Sequence, residues 1–90
     1  METVLLMINA PEGLHARPAA LFCAKASKYT SILKVRNAST ASHFVDAKSI
    51  LFVLTLGVTS GQNVEVTAEG DDEKEAIAGL KELVEADFNI

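Results

Sequence analysis

Apolar and polar positions follow two rhythms along the chain, and the switches between them mark successive elements. Residues 3–8, TVLLMI, are an apolar run of strand length and predict a largely buried strand. From Ala19 the apolar spacing lengthens to that of a helix, with Ala19, Phe22, Cys23 and Ala26 on one face. ILKVR at 32–36 and the stretch around SHFVD at 42–46 predict two strands joined by a polar turn. SILFVLTLG at 49–57 predicts a short apolar helix opened by Ser49 and closed by Gly57, after which TSG turns the chain. NVEVTAE at 63–69 alternates strictly, placing Val64, Val66 and Ala68 on one face of a strand. The last segment predicts a helix with Asp72 as N-cap and Glu75 in capping-box position, carrying Ala76, Ile77, Leu80, Leu83 and Val84 as its apolar stripe.

The order is strand, helix, strand, strand, helix, strand, helix. A sheet of this size must bury one face and three helices suffice to cover it, so an α+β two-layer sandwich is expected. With 90 residues, 49% of them hydrophobic, the chain is read as one domain over 1–90 with a single modest core. ETVLLMIN is too short for a membrane span and has neither the basic flank nor the cleavage pattern of a signal peptide, so a cytoplasmic protein without membrane insertion is expected. The lone Cys23 has no CxxC or Cys/His companion, which leaves neither a disulfide framework nor a zinc site; it reads as core filler. A net charge of −4 argues against direct nucleic-acid binding, which rests on a basic footprint. Most of the acid lies in the last helical segment, which reads as a solvated face.

The chemistry concentrates in APEGLHARPAALF, residues 10–22. Gly13 permits a tight backbone, the helix begins at Ala16 with His15 at or beside the N-cap, and Pro18 sits in the first turn, where its missing N–H has no acceptor to lose. The N–H groups of Ala16 and Arg17, at the positive end of the helix, together with the Arg17 guanidinium, form an anion site around the imidazole. Phosphate is its natural guest. A helix N-terminus favours uncharged imidazole, and a ring nitrogen with its lone pair available attacks a phosphoryl group. Taken alone, His15 reads as an ordinary capping residue with its ring in solvent; Gly13, Arg17 and Pro18 around it turn the reading toward the phosphoryl site.

GLHARPAA, AKSILFVLTLGVTSG and VTAEGDDEKEAIAGLKELV together resemble the HPr family, the histidine-containing phosphocarriers of the phosphoenolpyruvate-dependent sugar phosphotransferase system. The resemblance runs almost end to end. It implies an open-faced sandwich in which a four-stranded antiparallel sheet lies under three helices. It further implies that His15 is phosphorylated on its ring by enzyme I and relieved by a sugar-specific enzyme IIA, while Arg17 orients and neutralises the phosphate. The protein would then be a phosphoryl carrier with no cofactor rather than a turnover enzyme, and a monomer. The partner surface implied comprises Ala20 with Ile50, Leu51, Phe52 and Leu54, since Val53 and Leu56 are the positions of the short helix that can point inward. In Gram-positive relatives the serine matching Ser49 is phosphorylated by an HPr kinase/phosphorylase, which promotes binding to a catabolite-control transcription factor; the plain alternative is an N-cap hydroxyl that accepts a backbone hydrogen bond.

Some positions depart from the family's pattern. Glu12 places a carboxylate beside the active-site glycine, where it should repel a phosphoryl group on His15. NASTASHFVDA at 37–47 is longer than its family equivalent and lacks the usual turn glycine. NAS at 37–39 matches a glycosylation sequon without the secretion signal that would give it meaning, and His43 reads as a plain surface residue. Two other functions stay open at this point: a regulatory HPr-like module, either a nitrogen-branch carrier or a catabolite-repression cofactor, and a phosphate-ester hydrolase. The hydrolase lacks a second general acid or base near His15 other than Glu12.

Overall fold

The structure is a computed structural model that describes residues 1–89. Its elements are β1 (Glu2–Met7), α1 (Ala16–Ala26), β2 (Ile32–Asn37), β3 (Val45–Asp46), α2 (Ile50–Leu54), β4 (Asn63–Glu69) and α3 (Glu73–Glu85). The sheet has the order β1-β4-β2-β3, and every pairing is antiparallel. β4 inserts between β1 and β2, which the chain has already connected through α1. Val66 therefore lies opposite Val4 on one side and Val35 on the other, and Ala68 lies opposite Leu33. This is the two-layer α+β sandwich expected of the pattern, in the open-faced form that the resemblance implies.

The core fills the space between one sheet face and the helices. Val64, Val66 and Ala68 of β4, Leu33 and Val35 of β2 and Leu6 of β1 meet Ala19, Phe22, Cys23 and Ala26 of α1 and Ala76, Leu80, Leu83 and Val84 of α3. Burying a side chain such as Phe22 contributes about 1.5–3 kcal/mol relative to leaving it exposed. α1 and α3 pack on each other, and Gly79 of α3 leaves room for the Tyr29 hydroxyl, which an added Cβ would overlap.

Three expectations are corrected. β1 is not largely buried: Leu5 and Met7 are 62% and 51% exposed, because its side chains alternate and all three helices cover the same face. The strand expected around 42–46 shrinks to Val45–Asp46, since its approach is a turn in which Ala41, at φ +55°, takes the left-handed conformation usually given to glycine. The capping box at α3 does not form. Asp72 instead accepts hydrogen bonds from the Thr30 amide at 2.8 Å, the Ser31 amide at 2.9 Å and the Ser31 hydroxyl, so it fastens the α1–β2 loop to the start of α3. These bonds hold the Asp72 carboxyl below its ordinary range, the Ser31 hydroxyl contributing most.

Candidate functional site at the start of α1

The loop before α1 is held by the loop after α2, so the two motif regions form one surface. Ile8 N–H donates to the Gln62 carbonyl at 2.9 Å, Gly61 N–H to the Ile8 carbonyl at 2.7 Å, and Leu14 N–H to the Val58 carbonyl at 3.0 Å. Gly13 closes a turn with its N–H on the Ala10 carbonyl at 2.8 Å and takes φ +70°. Leu14 and Val58 are both fully buried and anchor the junction from below. Asn37, also fully buried, gives its amide to the Leu56 carbonyl at 3.2 Å and the Gln62 Oε1 at 3.0 Å, tying the end of β2 to the same loop. Its commitment there removes any accessible meaning from the NAS sequon.

His15 is the N-cap of α1, with extended backbone at φ −133° and ψ 170°. Its carbonyl accepts the Ala19 N–H at 3.4 Å, but its ring makes no capping bond, so the half-buried imidazole is not an ordinary capping side chain. The N–H groups of residues 16 and 17 precede that first intrahelical bond, as the anion-site reading requires. Ala16 follows at φ +52°, a left-handed conformation that costs a non-glycine residue about 1–3 kcal/mol. Nothing in the sequence signals that strain. Pro18 is buried in the first turn, as expected.

The first turn of α1 carries Arg17 and no acid, whereas that of α3 is already occupied by Glu73 and Glu75. Since acidic side chains compete with an outside anion for the positive helix end, the start of α1 suits an anion better than that of α3. Arg17 is exposed, and its NH1 donates to the Phe88 carbonyl at 3.1 Å. Sequence reasoning missed Phe88. It lies just beyond α3, where Asp87 N–H donates to the Val84 carbonyl and Phe88 N–H to the Leu83 carbonyl, each at 3.0 Å, in the Schellman pattern. The available signal was an Asp, which tolerates the left-handed conformation, followed by a large apolar residue after the helical stripe has ended.

α2 packs against α1 and β3, with Val53 fully buried and Leu56 nearly so. Ile50, Leu51, Phe52 and Leu54 are 40%, 75%, 56% and 36% exposed, and Ala20 is exposed on α1. Ser49 is the N-cap of α2 by backbone, its carbonyl accepting the Val53 N–H at 3.0 Å, yet its hydroxyl makes no capping bond. The side-chain cap expected there is corrected: the cap is carried by the main chain alone. Burial, and secondarily Asp46, pushes the Cys23 thiol up to about 11, which makes it an inert core group. Glu12 and His43 are exposed on the surface. Among the described residues, no three His, Cys, Asp or Glu side chains gather as a metal-binding group, and no helix is long and apolar enough to cross a membrane.

The family model described as "PTS HPr component phosphorylation site" matches residues 3–86. The chain belongs to the HPr family. It is 44% identical over 73 residues to the phosphocarrier protein HPr of Buchnera aphidicola, covering 81% of this chain and 82% of that one. A crystal structure of HPr-C-His from Thermoanaerobacter tengcongensis superimposes with a TM-score of 0.93 at 46% identity, covering 100% of this chain and 98% of the other. The multiphosphoryl transfer protein of Haemophilus influenzae is 39% identical over 77 residues, which is 86% of this chain but only 15% of that protein's length. The HPr module thus occurs both as a chain of about this size and as a small part of a larger one, and the matched span contains both the His15 loop and α2.

Proposed function

We propose that this HPr-family protein is a phosphocarrier of the sugar phosphotransferase system, taking a phosphoryl group on His15 from phospho-enzyme I and passing it to sugar-specific enzyme IIA. In each transfer a ring nitrogen of the acceptor histidine attacks phosphorus. One P–N bond forms as the donor's P–N bond breaks. The observation that carries the reading is an N-cap histidine whose ring does no capping, at a helix start free of acid and next to Arg17. The N–H groups at the start of α1 and the Arg17 guanidinium receive the added charge of the phosphoryl oxygens, a role that neutral backbone elsewhere on the surface does not offer. Ala20 and the exposed side chains of Ile50, Leu51, Phe52 and Leu54 form the surface on which enzyme I and enzyme IIA dock, since an apolar patch rimmed by polar residues marks a contact site.

Incubation with phosphoenolpyruvate and a general enzyme I tests this. The expected product is one acid-labile, base-stable phosphoryl group per chain, absent in His15→Ala. An acid-stable product, or label retained in that variant, overturns the reading.

A second reading rests on Ser49, whose hydroxyl makes no capping bond. It holds that Ser49 accepts a phosphoryl group from an HPr kinase/phosphorylase and that the modified protein acts on a catabolite-control transcription factor. His15→Ala separates the two: carrier activity is lost while such regulatory binding persists.

A further inference from the structure

The helices leave one face of the sheet bare. They pack on the face that carries Leu6, Leu33, Val35 and Val66, so the alternate residues of each strand point outward. A solvated sheet face is ordinarily polar, yet Leu5, Met7, Ile32 and Phe44 are exposed on this one. The pairing of the strands sets its side chains in rows. In the central row Leu5 lies opposite Glu65, and Glu65 opposite Arg36. Arg36 Nε donates to Glu65 Oε1 at 2.7 Å, and the guanidinium carbon stands 5.5 Å from the centroid of the Phe44 ring, just before β3. From β1 to β3 the row therefore reads apolar, acidic, basic, apolar.

That order is its own complement. A two-fold axis parallel to the strands, between β4 and β2 and in the plane of contact, exchanges the two sides of the face. It sets Leu5 of one copy over Phe44 of the other, and Glu65 of each copy over Arg36 of the other. In the adjoining row, Thr3, Thr67, Lys34 and Asp46, it sets Thr67 over Lys34. Shape agrees with charge. A hollow of about 420 Å³ lined by Ile32, Lys34, Phe44 and Asp46 lies on the β2–β3 side, while Leu5 projects from the β1 side that the rotation brings over it.

We propose that the bare sheet face is a self-association surface, on which a second copy of this chain packs sheet to sheet in a two-fold dimer. The net charge of −4 does not oppose this. Much of the acid lies on α3, on the far side of the sheet in each copy, beyond the about 10 Å over which charges act through 0.1 M salt. Four strands about 4.8 Å apart, each about six residues of 3.3 Å, present a face roughly 20 Å on a side. A standard stable interface buries about 800 Å² per partner, so this contact sits at the weak end and is reversible. The helix layer that carries His15 and α2 faces away from it, and both copies keep the carrier surface open.

Sedimentation equilibrium of the full chain at up to about 1 mM, the weak end of specific association, should show monomer and dimer in exchange. Amide shifts that move on dilution should belong to this face, Leu5, Ile32 and Phe44 among them, and not to α2. Arg36→Glu and Glu65→Arg should each stay folded and each weaken the dimer by about 10-fold or more, because like charges then meet across the axis. Mixed in equal amounts, the two variants should associate with each other, since every acid in the central row then faces a base of the other chain. A loss caused by altered folding would not be cured by mixing. Leu5→Lys, which sets a charge against Phe44 and Arg36 of the second copy, is an independent variant and should weaken the dimer likewise. A chain that stays monomeric at the highest concentration, dilution shifts that map to α2, or folded charge variants that fail to associate when mixed overturns the proposal. None of these readings depends on phosphoryl transfer, so failure of the carrier reading leaves them standing.

Discussion

A Cβ added at Gly13 would overlap the Val58 carbonyl oxygen and lie 2.8 Å from the Thr59 Cα, so the His15 loop and the loop after α2 meet backbone to backbone. The same carbonyl accepts the Leu14 N–H. Gly13→Ala must bear both this overlap and a left-handed φ, which alone costs about 1–2 kcal/mol. A loss of about 2 kcal/mol or more is expected, lowering the melting temperature by about 10 °C. Phosphoryl acceptance should fall with it at temperatures where the protein is still folded, because the loop carries His15. Unchanged melting and transfer would mean that the loop parts from Val58 without consequence.

Arg17 is exposed and reaches the Phe88 carbonyl with its guanidinium, not with a buried stem. Arg17→Ala should therefore leave the domain folded, since it removes surface interactions, the Phe88 bond among them, and no core packing. Its transfer rate should drop by about 10-fold or more, and Arg17→Lys should recover part of that, since an ammonium cannot grip two oxygens as a planar fork does. Denaturant titration beside steady-state transfer kinetics checks both halves. Global unfolding of Arg17→Ala would mark the residue as structural.

Phe52 stands 56% exposed on α2 while its neighbour Val53 is fully buried. Phe52→Lys should change stability by no more than about 0.5 kcal/mol, as surface substitutions do. If the patch docks enzyme I, losing an aromatic anchor should raise KM by about 5-fold or more with kcat little altered. Should the substitution leave KM alone but convert a dimer to a monomer in sedimentation, the patch serves self-association instead.

Asp72 couples stability to acid. Its folded pKa is depressed by the Ser31 and Thr30 bonds, so the stabilisation it supplies is complete above the unfolded value, near pH 4, and is lost as pH falls through the lower folded value. Asp72→Asn should melt below the wild type at about pH 7, and the gap should close as pH is lowered toward about pH 2. Glu73 is depressed in the same direction by the Gly70 N–H and the chain's amino terminus, so wild-type acid sensitivity should shrink but not vanish in this variant. A gap that stays constant with pH would show that the Asp72 bonds act by shape and not by charge.

What the sequence by itself determined is local. The period of the apolar positions assigned every helix its buried face, Val53 against Leu51 included, because the 3.6-residue turn fixes which neighbours share a side. It also placed Val64, Val66 and Ala68 inward, and His15 with Pro18 at the start of α1, since capping and first-turn preferences act over a few residues. The motif residues needed no fold to be recognised. Tertiary structure alone decided the contacts between segments far apart in the chain. Asp72, read as closing its own helix, found amides 41 and 42 residues away once the α1–β2 loop lay beside it. Leu5 and Met7, apolar in a strand, stay exposed because every helix packs on the other face. Ala16 and Phe88 hold left-handed backbones that no propensity favours, since the packing around them over-determines them. A pattern in sequence reports only what neighbours within a few residues impose, whereas the bond from Arg17 to the Phe88 carbonyl exists only after α1 and α3 have packed together.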